Sequence, residues 1–128
     1  MYAKTKLLPP NRNMDTHSII NIFHILFVAP LFLWVGSQRS SIPEWVYWVL
    51  LGLGLIVTLY HGMKTIQKLK AYNPSVWVNA IHALLIGPLL LYLGIKKKDS
   101  LRGGYELLLL AGFGALGYHL FELAKYNT

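Results

Sequence analysis

The chain has 128 residues, of which 55% are apolar and 13% are charged, and it contains no cysteine. Soluble domains average about one-quarter charged residues, so a soluble monomer of this composition would expose a large apolar surface to water. The absence of cysteine excludes disulfides, thiolate metal sites and thiol catalysis. The formal net charge of +7 is spread in short basic runs between apolar blocks, a distribution typical of membrane proteins. We therefore expect an integral membrane protein that binds no nucleic acid.

Four apolar segments are long enough to cross a bilayer. A membrane-spanning helix needs about 20 mostly apolar residues. Segments of about that length, bounded by charged residues, Pro or Gly, cover residues 18–36, 43–63, 75–95 and 105–124. None of them shows the alternation of a barrel strand. The predicted fold is an all-α integral membrane protein with four transmembrane helices.

The flanking residues predict the orientation. Residues 1–17 carry Lys4, Lys6 and Asp15 and have no apolar core, so they are predicted to be a polar tail and not a signal peptide. With four spans, this tail, the loop after the second span and the C-terminus share one side, and that side holds seven of the 12 Lys and Arg residues. The positive-inside rule then predicts that both termini are cytoplasmic. The expected partner is the lipid bilayer. Whether the protein also forms a homo-oligomer or binds a membrane partner protein is left open.

The sequence repeats at an offset of 58 residues without a gap. Asn21, His24, Pro30 and Gly36 align with Asn79, His82, Pro88 and Gly94, and Tyr47, Tyr60 and His61 align with Tyr105, Tyr118 and His119. We therefore predict a tandem repeat, residues 18–70 and 74–126, with two transmembrane helices in each copy and one folded domain overall. Because each copy contains two spans, the copies should share one orientation and be related by a pseudo-two-fold axis along the membrane normal.

The repeat places four histidines at one depth. His24 and His82 lie early in the first and third spans, and His61 and His119 lie near the ends of the second and fourth. At a rise of about 1.5 Å per residue, all four fall in one layer on the side of the termini. Ionisable residues within a membrane usually face the interior of the bundle and indicate function.

Neutral imidazole is a common metal ligand, so we predict that His24, His61, His82 and His119 bind haem b or a divalent metal. Across a diagonal of the bundle, His24 with His82, or His61 with His119, can reach a common metal. Asn21 and Asn79 are included in the cofactor site, because an amide can hold an imidazole in one tautomer. The expected function is electron transfer at one membrane face.

Other functions remain open at this stage. A proton or ion channel is one alternative, because histidines relay protons, but the other half of the bundle offers no continuous polar lining. A non-catalytic scaffold or assembly subunit is another, with hydrogen-bonded histidines that only fix the helix register. The five acidic residues are not paired at catalytic spacing. We therefore predict no catalytic residue and disfavour an enzyme that acts alone.

Overall fold

The computed structural model describes residues 16–126, and this part of the chain is helical without strands. The four long helices are α1 (Thr16–Ser41), α2 (Glu44–Lys70), α3 (Val76–Asp99) and α4 (Arg102–Tyr126). Each is long and apolar enough to cross a membrane, which confirms the prediction of four membrane-compatible helices. The helices extend beyond the predicted segments into their polar flanks, and α2 ends at Lys70, where the first predicted repeat also ends. Apart from Thr16 and His17 at the start of α1, the predicted tail 1–17 lies outside the described residues.

Local sequence sets the ends of the helices. Pro43 precedes α2, and Glu44 lies in its first turn, where proline and a negative charge both favour a helix start. After α2, Tyr72 adopts a positive φ of 52° and ends the helix. The side-chain oxygen of Asn73 then accepts hydrogen bonds from the backbone N–H and the hydroxyl of Ser75. This turn directs the chain into α3.

Two π-helical turns interrupt the regular helices. They span His24–Val28 in α1 and His82–Ile86 in α3, and each begins at a histidine and is followed two residues later by a proline. Proline has no N–H and its ring clashes with the carbonyl four residues earlier in a regular helix. The wider turn accommodates this defect. The prolines are visible in the sequence, but the π-helical turns could not be inferred from it.

The principal helix pairs are α1 with α4 and α2 with α3. Glycine permits the close approach in both pairs. A Cβ atom at Gly36 would lie 2.7 Å from the backbone nitrogen of Leu109, and one at Gly94 would lie 2.8 Å from that of Leu51. Small residues at helix interfaces allow backbones to touch in this way within membranes. Each half of the chain, residues 18–70 and 74–126, contains two long helices. Each of these helices therefore has its principal contacts with a helix of the other half and not with the helix of its own half.

The bundle half remote from the histidines has a closed apolar core. Its fully buried side chains include Val35, Leu50, Leu93 and Leu108. Tyr47 and Tyr105 are buried in this core, and their hydroxyl oxygens lie 2.8 Å apart. Tyr105 donates in turn to the backbone carbonyl of Lys97 at 3.0 Å, so the Tyr47 hydroxyl donates to Tyr105. The two hydroxyls thus satisfy each other inside an apolar environment.

Candidate histidine site

The structure brings the four predicted histidines together in one cluster, near the ends of α2 and α4 and the starts of α1 and α3. The rings of His24 and His119 stack with centroids 4.2 Å apart, and those of His61 and His82 stack at 4.4 Å. His24 and His82 join the two stacked pairs, edge to face, with centroids 6.4 Å apart. We call these four residues the histidine cluster.

Two members of the cluster are anchored by the backbone of their own helix. The Nδ1–H of His24 donates to the carbonyl of Ile20 at 2.8 Å, and the Nδ1–H of His82 donates to the carbonyl of Val78 at 2.6 Å. A carbonyl oxygen can only accept, so Nδ1 carries the proton in both rings. These bonds fix both rings at the entry to the π-helical turns.

The other two members are anchored by the predicted asparagines. The Nδ1–H of His61 donates to the side-chain oxygen of Asn79 at 2.8 Å, and that of His119 donates to Asn21 at 2.7 Å. Both asparagines are buried. Each asparagine therefore holds a histidine of the neighbouring helix, whereas the histidine three residues along its own helix uses a backbone carbonyl.

In all four imidazoles, Nε2 is the nitrogen that is left without a hydrogen-bond partner in the described part of the chain. Their Nδ1–H groups are bonded to oxygen, which leaves the lone pair of each Nε2 available. Within residues 16–126, no hydrogen bond to these Nε2 atoms is present. Histidines that ligate metals characteristically donate their other ring N–H to a carbonyl or carboxylate. The cluster has this arrangement on all four rings.

A cavity of about 550 Å³ adjoins the histidine cluster, a volume within the range of about 300–1,000 Å³ typical of ligand pockets. All four histidines line it, and most of its other lining residues are apolar side chains of α3 and α4. Trp77 and Tyr118 line the cavity and contact each other edge to face, with ring centroids 5.9 Å apart. The site therefore combines the Nε2 lone pairs of the four histidines with a mainly apolar cavity.

The described residues contain no group of three or more His, Cys, Asp or Glu side chains arranged to hold a metal ion. The histidines meet as stacked and edge-to-face rings, whereas a tetrahedral metal needs ligand atoms about 2.0–2.1 Å from one point. The cluster as it stands is not a four-histidine metal cage. Any metal in this site needs ligands in addition to imidazole or a rearrangement of the rings.

No family model matches the chain, and neither a curated protein nor a solved structure matches it significantly.

Proposed function

We propose that this protein is a small membrane electron carrier in which His24, His61, His82 and His119 bind haem b or a divalent metal, with Asn21 and Asn79 orienting two of the rings. The observation that carries the proposal is the common state of the imidazoles: every Nδ1–H is bonded to an oxygen and every Nε2 is left free in one layer. A histidine that ligates a metal has this arrangement, with one ring N–H donated to an oxygen and the lone pair of the other nitrogen available. Four such rings beside a cavity favour a Lewis acid as the ligand.

The position of the cluster determines at which membrane face the proposed carrier exchanges electrons. The histidines occupy one end of the bundle, and the other end is filled by the apolar core around Leu50 and Leu108. A cofactor in this layer exchanges electrons at one membrane face and not across the bilayer. With four spans, both termini lie on this face. By the positive-inside rule, we propose that this face is cytoplasmic.

We also propose that residues 18–70 and 74–126 are tandem copies related by a pseudo-two-fold axis along the membrane normal. Features that recur 58 residues apart support this proposal. The π-helical turns begin at His24 and His82, and positive φ angles of 55° and 51° occur at Arg39 and Lys97. The bond between Tyr47 and Tyr105 joins residues separated by 58 positions, as expected for a contact across the axis.

The test is to purify the protein in a mild detergent and record its visible absorption spectrum and metal content, before and after incubation with haemin or with divalent metals. We expect a Soret band or stoichiometric metal in the wild type. We expect the signal to be lost in His24→Ala/His82→Ala and retained in the control His17→Ala, because His17 does not line the cavity.

Circular dichroism of each variant separates loss of ligand from loss of fold. A wild-type protein that takes up neither haem nor metal overturns the proposal. If all four histidines can be replaced by alanine without any change in ligand content, the cluster has no cofactor role, and a loss of helix packing in that variant would favour the scaffold alternative. Proton flux in liposomes that is lost in the same variant replaces the proposal with the channel alternative.

A further inference from the structure

Cavity-lining residues that lie 58 positions apart in the sequence differ in size. Leu53 and Val57 of α2 line the cavity, and so do Ala111 and Ala115, which occupy the corresponding positions of α4. Two alanines thus stand where the first half of the chain has a leucine and a valine. The space that the larger side chains would fill is left open against α4.

A third small residue lines the same side. Gly114 corresponds to Ile56, and a Cβ atom built on Gly114 meets no atom within 4 Å. The cavity-lining residues Ile81, Leu85 and Leu110 are also exposed on the outer surface of the bundle. In a membrane, that surface faces lipid. The cavity is therefore accessible to an apolar molecule from the bilayer.

The chemistry of the walls restricts the occupant. The four free Nε2 atoms accept hydrogen bonds or ligate a metal, so they select a Lewis acid or a proton donor. A bare divalent ion such as zinc takes three or four protein ligands, and no such group is assembled in the described part of the chain. A metallo-tetrapyrrole supplies four equatorial nitrogens itself and requires only axial ligands from the protein. Its large apolar face matches an apolar cavity.

We infer that the occupant is a flat metallo-tetrapyrrole of the haem class, and that it lies off the centre of the bundle, in the space that Ala111 and Ala115 leave beside α4. This inference rests on the proposed function, since it requires that the cluster binds a metal cofactor. It adds the class of cofactor and the residues that make room for it. Ala111 and Ala115 are size-determining residues and do not contact the metal.

The experiment exchanges these residues for those of the first half. Ala111→Leu/Ala115→Val fills the space at α4, and Gly117→Leu is the matched control. Gly117 corresponds to Leu59 and is exposed, a Cβ atom there meets nothing within 4 Å, and the residue does not line the cavity. Haemin and, separately, zinc protoporphyrin are titrated into each detergent-solubilised protein, and binding is followed by the Soret band.

We expect the wild type and Gly117→Leu to bind one equivalent with equal affinity and Ala111→Leu/Ala115→Val to bind at least tenfold more weakly. Thermal unfolding of the ligand-free filled variant should occur at or above the wild-type temperature, since side chains that fill a cavity stabilise a protein. That result separates a blocked cavity from a damaged fold.

Each contrary outcome has one meaning. Unweakened binding by the filled variant, or equal weakening by Gly117→Leu, overturns the placement against α4. A wild type that binds divalent metal but neither porphyrin overturns the inference and leaves the proposed function standing. A wild type that binds no cofactor of any kind overturns both.

Discussion

At the scale of single residues, the two nitrogens of each clustered histidine have separate roles. Nδ1 is held by an oxygen, and the identity of that oxygen differs between the helices: a backbone carbonyl in α1 and α3, an asparagine amide in α2 and α4. The asparagines are therefore positioning residues for His61 and His119. Their contribution is to select one tautomer and one ring orientation.

Replacing Asn79 by leucine should release His61. The substitution leaves the Nδ1–H of His61 without its acceptor, and an unsatisfied buried donor costs about 1–3 kcal/mol of unfolding free energy. Nitrogen-15 NMR of the histidine rings should show His61 leaving the Nδ1–H tautomer, while His119, held by Asn21, keeps it.

Gln67→Leu is the control on α2, because Gln67 is exposed and surface substitutions usually change stability by less than about 0.5 kcal/mol. If His61 kept its tautomer in Asn79→Leu and stability did not change, the assignment of Asn79 would be wrong.

The residue types of the cluster were predictable from the sequence, but their pairing was not. Asn21 precedes His24 on α1, and this spacing suggests a contact within one helix. In the structure Asn21 instead holds His119, because α1 packs on α4. Local spacing contains no information on which helices become neighbours, so a contact between residues 98 positions apart is fixed only by tertiary packing.

At the scale of helices, glycine contacts determine how closely the pairs approach, and Gly36 and Gly94 are two of them. Gly36 in α1 and Gly94 in α3 each face a leucine backbone of the partner helix, whereas Gly52 in α2 has open space at its Cβ position. Glycine in a helix is otherwise unfavourable by about 0.5–1 kcal/mol relative to alanine. Glycine is thus required at Gly36 and Gly94 for close packing, whereas at Gly52 it only lowers the stability of the helix.

Gly94→Ala and Gly52→Ala should consequently have opposite effects on stability. A methyl group at Gly94 would overlap the backbone of Leu51 and force α2 and α3 apart, and overpacking of this kind costs about 1–3 kcal/mol. A methyl group at Gly52 should raise stability by up to about 1 kcal/mol through helix propensity. Unfolding by a denaturing detergent, followed by circular dichroism, measures both. Equal effects of the two substitutions would contradict the close contact of α2 with α3.

The four helices themselves were predictable, and their internal irregularities were less so. Length and apolarity are local properties, so segments 18–36, 43–63, 75–95 and 105–124 could be identified directly, within a few residues of the observed helices. Pro30 and Pro88 align in the repeat, but no break in α1 or α3 is predicted from them. That π-helical turns start at His24 and His82 depends on the wider helix and could not be inferred from the spacing.

At the scale of the whole molecule, the two halves are interleaved. The principal pairs, α1 with α4 and α2 with α3, both join one half of the chain to the other. The cluster follows the same plan, since each asparagine–histidine bond also joins the two halves. The covalent link between α2 and α3 is consequently less important for the fold than the packing that surrounds it.

A cut in this link should leave the molecule intact. Residues 71–75 are exposed, and a protease site inserted there can be cleaved after purification. We expect the two fragments to stay together in a mild detergent during size-exclusion chromatography and to keep the helical circular-dichroism spectrum of the uncut protein. The control is the same protein with the inserted protease site left uncleaved. Fragments that separate under these conditions would contradict the interleaved packing.

The pairing of α1 with α4 also has a consequence for synthesis. If the four membrane-compatible helices enter a bilayer in chain order, α2 meets its main partner as soon as α3 is inserted, whereas α1 must wait for α4. His119 and the bond that it donates to Asn21 arrive with that last helix. A nascent chain that has inserted only α1, α2 and α3 therefore holds an incomplete histidine cluster, which lacks His119 and its bond to Asn21.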